Sequence, residues 1–158
     1  MEDGISFEEN ALKKARDTQR ASGIDTLADD SGLEVHALSM APGIYSARYA
    51  GEHVSYSDNN RKLLQALEAI PEKERKAHFR CVAAFASGRT EHTEEGICQG
   101  RIIDSPRGKG GFGYDPLFVP DGLDQTFAEL PISIKNEISH RSMAFRRMMR
   151  FLISHLQL

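Results

Sequence analysis

The 158-residue chain has no tryptophan and only two cysteines, Cys81 and Cys98. These form no C-x-x-C pair, so no thioredoxin-type redox motif is present. A reduced, buried role is the expectation, with the two residues on neighbouring strands of one hairpin. The six histidines are scattered and make no H-E-x-x-H or similar zinc pattern. No apolar run approaches the roughly 18 residues that span a bilayer. Neither sign of charge dominates: 20 Lys and Arg stand against 23 Asp and Glu, a net charge of −3. That balance argues against broad nucleic-acid binding, which needs basic surface, but leaves room for a local cationic pocket. The start, Met1-Glu2-Asp3-Gly4, is acidic and lacks a signal-peptide pattern, so a cytoplasmic location without membrane partners is expected. Repeats, low-complexity segments and linkers are also missing, which predicts one domain over residues 1–158.

What is present reads as interleaved helices and strands. Ser6 and Glu9 have capping-box spacing before a helix from about Ser6 to Ala21, with Phe7, Ala11 and Ala15 on its apolar face and Gly23 at its end. A strand carrying Asp29 and Asp30 follows. Residues 57 or 58 to 70 form a second helix that buries Leu63, Leu64 and Leu67. His78–Ala86 and Thr90–Ile103 make a hairpin, and Leu117-Phe118-Val119 a short strand. The last helix starts at about His140 and turns Phe145, Met148, Met149, Leu152 and Leu156 inward. The hairpin must be antiparallel, so a mixed-sheet α/β fold is the expected class.

Four segments could carry chemistry. The first is Ala28-Asp29-Asp30-Ser31-Gly32-Leu33. Successive strand side chains point to opposite faces, so one Asp can face inward and the other outward. Hard cations such as Mg²⁺ take carboxylate oxygen and usually substrate phosphates as well. A metal-binding or general-base carboxylate at a strand-to-loop junction is one reading. A polar Asp-Ser-Gly turn is the other, and the hexapeptide alone favours the turn.

The second is Arg107-Gly108-Lys109-Gly110-Gly111-Phe112-Gly113-Tyr114-Asp115-Pro116. It contains G-x-G-x-x-G, but no helix opens after it, so it is not a dinucleotide fingerprint. Lys109 is not followed by Ser or Thr, so it is not a P-loop. Close backbone approach, two rings and a carboxylate suit a planar base; a plain glycine-rich loop fits equally well. The third is Lys135 with Ser139-His140-Arg141, where helix amides and a planar guanidinium could meet an anion or base carbonyls. Without further context, a capped helix start with solvated charges is the favoured reading of the same residues. The fourth is Lys14, which could reach a phosphate, although most helix lysines do nothing specific.

Taken in order, these segments resemble the inosine/xanthosine triphosphate pyrophosphatases. The features that carry the resemblance are Ser6-Phe7-Glu8-Glu9-Asn10-Ala11, Ala28–Leu33, Ala41-Pro42-Gly43-Ile44-Tyr45-Ser46-Ala47-Arg48-Tyr49, Gly110–Pro116 and Ser139-His140-Arg141. The resemblance implies an elongated, twisted mixed sheet with flanking helices, two lobes around a nucleotide cleft, and a homodimer. It implies Mg²⁺-dependent hydrolysis of ITP, dITP or XTP to the monophosphate and pyrophosphate. Asp30 is then the general base and a metal-linked carboxylate, with Glu2 a second metal-linked position. Ser31 contacts substrate, Lys14 lies near the phosphates, and Phe112, Gly113, Tyr114 and Asp115 form the base loop. Lys135, His140 and Arg141 are further substrate contacts.

The resemblance also carries a departure. The family opens with a strand, a Thr/Ser-x-Asn-x-x-Lys loop that holds the triphosphate, and a helix. A leading βα unit of roughly 30 residues or more is therefore expected to be missing. The alternative expectation is a truncated, weak or silent nucleotide-binding or dimerising remnant. A serine hydrolase using Ser31 with His140 is weaker still, because the Gly-x-Ser-x-Gly elbow is absent.

Overall fold

A computed structural model describes residues 4–156. Helix α1 spans Phe7–Ser22. Ser6 is its extended N-cap and accepts from the Glu9 amide, while the Glu9 carboxylate accepts from the Ile5 amide at 2.9 Å. The reach-back of the expected capping box therefore lands one residue before the cap. Gly23 ends the helix in the left-handed conformation, φ 70°, and its N–H bonds to the Gln19 carbonyl.

Strand β1 spans Thr26–Val35. This corrects one expectation: Ser31-Gly32 is not a turn, and the carboxylates lie inside a continuous ten-residue strand. The Ser31 hydroxyl donates back to Asp29 along the same strand face rather than capping a turn. Helix α2, Tyr56–Ala66, is closed at its start by a capping box between Ser55 and Asp58, and it ends earlier than the sequence suggested. Leu63 and Leu67 are buried, Leu64 only partly.

Strands β2, Lys76–Ala86, and β3, Glu91–Ile102, flank a short turn closed by the Ser87 amide on the Thr90 carbonyl. The sheet order is β1-β2-β3-β4, with β4 at Phe118–Pro120. β4 pairs antiparallel with β3, setting Gly100 opposite Pro120 and Ile102 opposite Phe118. The helix α3, Ile132–Ile138, was hidden in what reads as a polar connection. Helix α4, His140–Leu156, completes an α/β fold with helices flanking the sheet.

The contacts divide the chain into two compact units. One comprises the chain up to Ser31, Arg80–Ile97 and the chain from Ile138 onward; the other comprises Gly32–Phe79 and Cys98–Glu137. The core of the first is Cys81, Ala83 and Phe85 of β2 against Ala144, Met148 and Leu152 of α4. Their spacings, two along the strand and four along the helix, bring one face of each element together. Met149, expected inward, is 48% exposed, because it lies a quarter turn past the stripe that packs on β2. The Leu156 side chain lies outside the described residues.

The second unit is built on Phe79, Phe118 and Phe127. The Phe79 and Phe118 rings meet edge to face at 4.7 Å, and Phe127 stacks on Phe79 at 5.8 Å. Among the described residues no helix is long and apolar enough to cross a membrane.

Candidate active site

In the first unit, the alternation of β1 divides the paired carboxylates. Asp30 faces α1 and is 7% exposed. Its Oδ1 accepts from the Lys14 ammonium at 2.8 Å and its Oδ2 from the Asn10 amide at 3.3 Å. Asn10 and Lys14 are one helical turn apart, so one face of α1 delivers both donors. Asn10 in turn accepts from the Gly4 amide at 2.9 Å. Sequence reasoning gave Asn10 no role. The signal was a polar residue beside Phe7 and Ala11 on an otherwise apolar face.

Asp29 faces α4. Its Oδ2 accepts from Arg141 Nε at 3.1 Å, from Arg141 Nη2 at 3.0 Å and from the Ser31 hydroxyl at 2.9 Å. The Cys81 thiol lies 3.6 Å from the same oxygen. Burial pushes that thiol up to about 12, so it stays protonated and is no nucleophile at neutral pH. His140, buried, and Arg141 open α4. Ser139 caps the helix, its hydroxyl accepting from the Ser142 amide. The helix start rests directly on β3: a Cβ at Gly96 would lie 2.0 Å from the His140 carbonyl oxygen and 2.5 Å from the Ala144 nitrogen. Only glycine allows this approach, and it fixes where His140 and Arg141 begin.

In the second unit the glycine-rich loop is shaped by Asp115. This carboxylate is 2% exposed, accepts from the Phe112 amide at 2.8 Å, and pairs with the Lys135 ammonium. Gly111 has φ +71°, and a Cβ there would collide with Asp115. The Lys135 ammonium also lies over the Phe112 ring, 4.9 Å from its centroid, and 5.3 Å from that of Phe127. Phe112 is half exposed and leaves ring surface for a ligand.

The side chain of Tyr114 turns inward: its hydroxyl donates to the Ser46 carbonyl at 2.8 Å, and burial raises the phenol pKa well above its usual value. Its side chain therefore ties the loop to the Gly43–Arg48 turn. Asn60 of α2 donates to the Gly113 carbonyl at 3.1 Å, a second brace that sequence reasoning missed. A cavity of about 510 Å³ lies beside this brace, between Tyr56, Asn60, Leu64, Lys109, Gly111 and Phe112.

The site residues read from the sequence thus form two sets. Lys14, Asp30, Ser31, His140 and Arg141 belong to the first unit, and Phe112, Gly113, Tyr114, Asp115 and Lys135 to the second. Glu2 lies outside the described residues. Among the described residues no cluster of three or more His, Cys, Asp or Glu could hold a metal by itself. The donor chemistry of Asp30 nonetheless fits Mg²⁺, which is commonly held by one or two carboxylates and completed by waters and substrate phosphates.

A family model described as the Ham1 family matches residues 1–151. A protein of Geobacter sulfurreducens named dITP/XTP pyrophosphatase is 55% identical over 144 residues, covering 90% of this chain and 72% of that protein. One of the same name from Desulforamulus reducens is 53% identical, covering 96% of this chain and 76% of that protein. The solved structure of the Staphylococcus aureus Ham1 protein superposes with a TM-score of 0.92 at 42% identity. It covers 98% of this chain and 80% of that one.

Proposed function

This chain belongs to the Ham1 family, and we propose that it hydrolyses non-standard purine nucleoside triphosphates, namely dITP, ITP and XTP, to the monophosphate and pyrophosphate. The observation that carries the proposal is 55% identity, over 90% of the chain, to a protein named dITP/XTP pyrophosphatase. The two side-chain sets support it, because each has a chemistry that such a substrate needs.

Asp30 is the general base. Lys14 and Asn10 hold its carboxylate in one direction, so it meets an attacking water without first reorganising. Lys14 adds positive charge beside it for a phosphate oxygen, and Ser31 offers a hydroxyl. Phe112 presents a ring to a purine, while Gly113, Tyr114, Asp115 and Lys135 hold the loop that carries that ring. His140 and Arg141 provide hydrogen-bonding groups for a base carbonyl. Asp30, with Glu2, would hold Mg²⁺. When bound, the ion neutralises the polyphosphate and makes a bound water more acidic. A homodimer and a cytoplasmic location belong to the same proposal.

The test is pyrophosphate release by the full chain with MgCl₂ and each purine triphosphate. dITP and XTP should be turned over with kcat/KM at least about 100-fold above dATP, within the range that buried hydrogen-bond mismatch can supply. Failure to release pyrophosphate from dITP, ITP and XTP alike would end the proposal.

A further inference from the structure

Asn59 and Asn60 are adjacent buried amides on α2, and they bond unequally. Asn59 uses both ends of its side chain: Oδ1 accepts from the Ala50 amide at 2.7 Å, and Nδ2 donates to the Ala47 carbonyl at 3.0 Å. Asn60 uses one. Its Nδ2 donates to the Gly113 carbonyl at 3.1 Å, while its Oδ1 is buried without a hydrogen-bond partner. Turning the amide over would not help, because Oδ1 would then face the Gly113 carbonyl, acceptor against acceptor. A buried acceptor left unpaired weakens a fold, so the residue needs a reason other than stability.

We infer that Asn60 is a positioning residue for the glycine-rich loop: it fixes the Gly113 peptide, and with it the Phe112 ring, in the setting that meets a purine, and the fold is less stable for it. This rests on the hydrolase reading and deepens it. The loop has three other ties. The Phe112 amide donates to the Asp115 carboxylate, the Asp115 amide to the Phe112 carbonyl at 3.1 Å, and the Tyr114 hydroxyl to the Ser46 carbonyl. None of the three holds the peptide between Gly113 and Tyr114. Gly113 has φ +59° and no side chain to limit its torsions, so that peptide is the one most in need of a partner. Asn60 supplies it. Tyr56, one turn earlier on α2, sets its ring 6.4 Å from that of Phe112, so the helix turn that grips Gly113 also borders the ring. Leucine at position 60 would keep the γ-branched shape, suit a helix better and leave no acceptor orphaned. The Gly113 carbonyl it releases lines the cavity of about 510 Å³, where water can take the place of the amide. Stability and function should therefore part company at this residue.

The experiment compares wild type, Asn60→Leu and Asn60→Asp as full chains. It measures melting temperature, the rate of native-state trypsin cleavage after the exposed Lys109, and steady-state turnover of dITP. Asn60→Leu should melt no lower than wild type, yet be cut after Lys109 about fivefold faster or more. Its KM for dITP should rise by a similar factor, the scale of one hydrogen bond, with kcat held within about threefold. Asn60→Asp keeps the shape but sets an acceptor against the Gly113 carbonyl, so it should speed cleavage and raise KM as well. A lowered melting temperature with cleavage that rises only in step with it would make Asn60 structural and overturn the inference. Faster cleavage with KM unchanged, or a fall in kcat alone, would overturn it too. If Asn60→Leu does not fold, Asn60→Asp decides alone, and wild-type cleavage and KM in that variant overturn the inference. A wild type that releases no pyrophosphate from dITP defeats the hydrolase reading. Cleavage after Lys109, set against melting temperature, then still decides whether Asn60 holds the loop.

Discussion

Asp29 and Asp30 are neighbours in the chain but are held by different helices: Asp29 accepts from Arg141 of α4, Asp30 from Lys14 of α1. The pleat of β1 alone separates them. Two adjacent carboxylates facing one uncompensated pocket would repel each other. Opposite faces give each carboxylate its own cationic partner.

Replacing Asp30 by Asn should remove Mg²⁺-dependent turnover of dITP by about 100-fold or more, the scale expected for loss of a general base. The circular dichroism spectrum should be unchanged, because Asn preserves the shape and still accepts from Lys14. EDTA should abolish wild-type turnover. Unimpaired pyrophosphate release by Asp30→Asn would remove Asp30 from the chemistry.

Asn10→Ala should destabilise the protein by about 1–3 kcal/mol, the range for leaving buried polar groups unpaired. The change strips a partner from the Gly4 amide and from Asp30 together. Urea denaturation checks the stability, and kcat should fall as well, since Asp30 loses one of the donors that orient it. A stable variant with full kcat would show that Lys14 suffices.

A methyl group at Gly96 has no room against the start of α4. Gly96→Ala should therefore cost about 1–3 kcal/mol, as overpacking does, and weaken dIMP binding by shifting His140 and Arg141. Lowered melting temperature with unchanged dIMP affinity would confine Gly96 to stability.

Burial raises both cysteine thiols from the usual 9.0 to about 12. Below pH 9 the thiols are protonated in both folded and unfolded chains, and stability does not depend on them. Between about pH 9 and 12 the unfolded chain loses these protons while the folded chain keeps them, so stability must fall as pH rises. Urea midpoints at pH 8, 9.5 and 10.5 should decline. A Cys81→Ala, Cys98→Ala double variant should decline less steeply. Parallel curves would show that the thiols ionise in the folded protein.

How much of this was legible beforehand depended on range. Local rules located α1 with its Ser6 cap and Gly23 stop, the turn between β2 and β3, and the start of α4, because each rests on residues within one turn of chain. Family-like motifs marked Asp30, the Phe112–Asp115 segment and His140-Arg141 as candidates. Local rules failed where a local preference met a distant partner. Ser31-Gly32 has turn composition, yet the sheet keeps it extended. Tyr114 looks like a ring offered to a ligand, yet its hydroxyl finds Ser46. The helix α3 is too short and too exposed to leave a clear apolar period.

The sequence by itself determined the α/β class, the candidate carboxylates and the likeness to triphosphate pyrophosphatases, since composition, periodicity and motif order are properties of the chain. Only the tertiary structure decided which Asp meets Lys14 and which meets Arg141, that Asp115 spends its charge on Lys135, and that Gly96 and Asn60 support the segments beside them. Those are pairings between residues far apart in the chain. Burial makes them necessary, because a polar group removed from water must find its partner wherever the fold brings one.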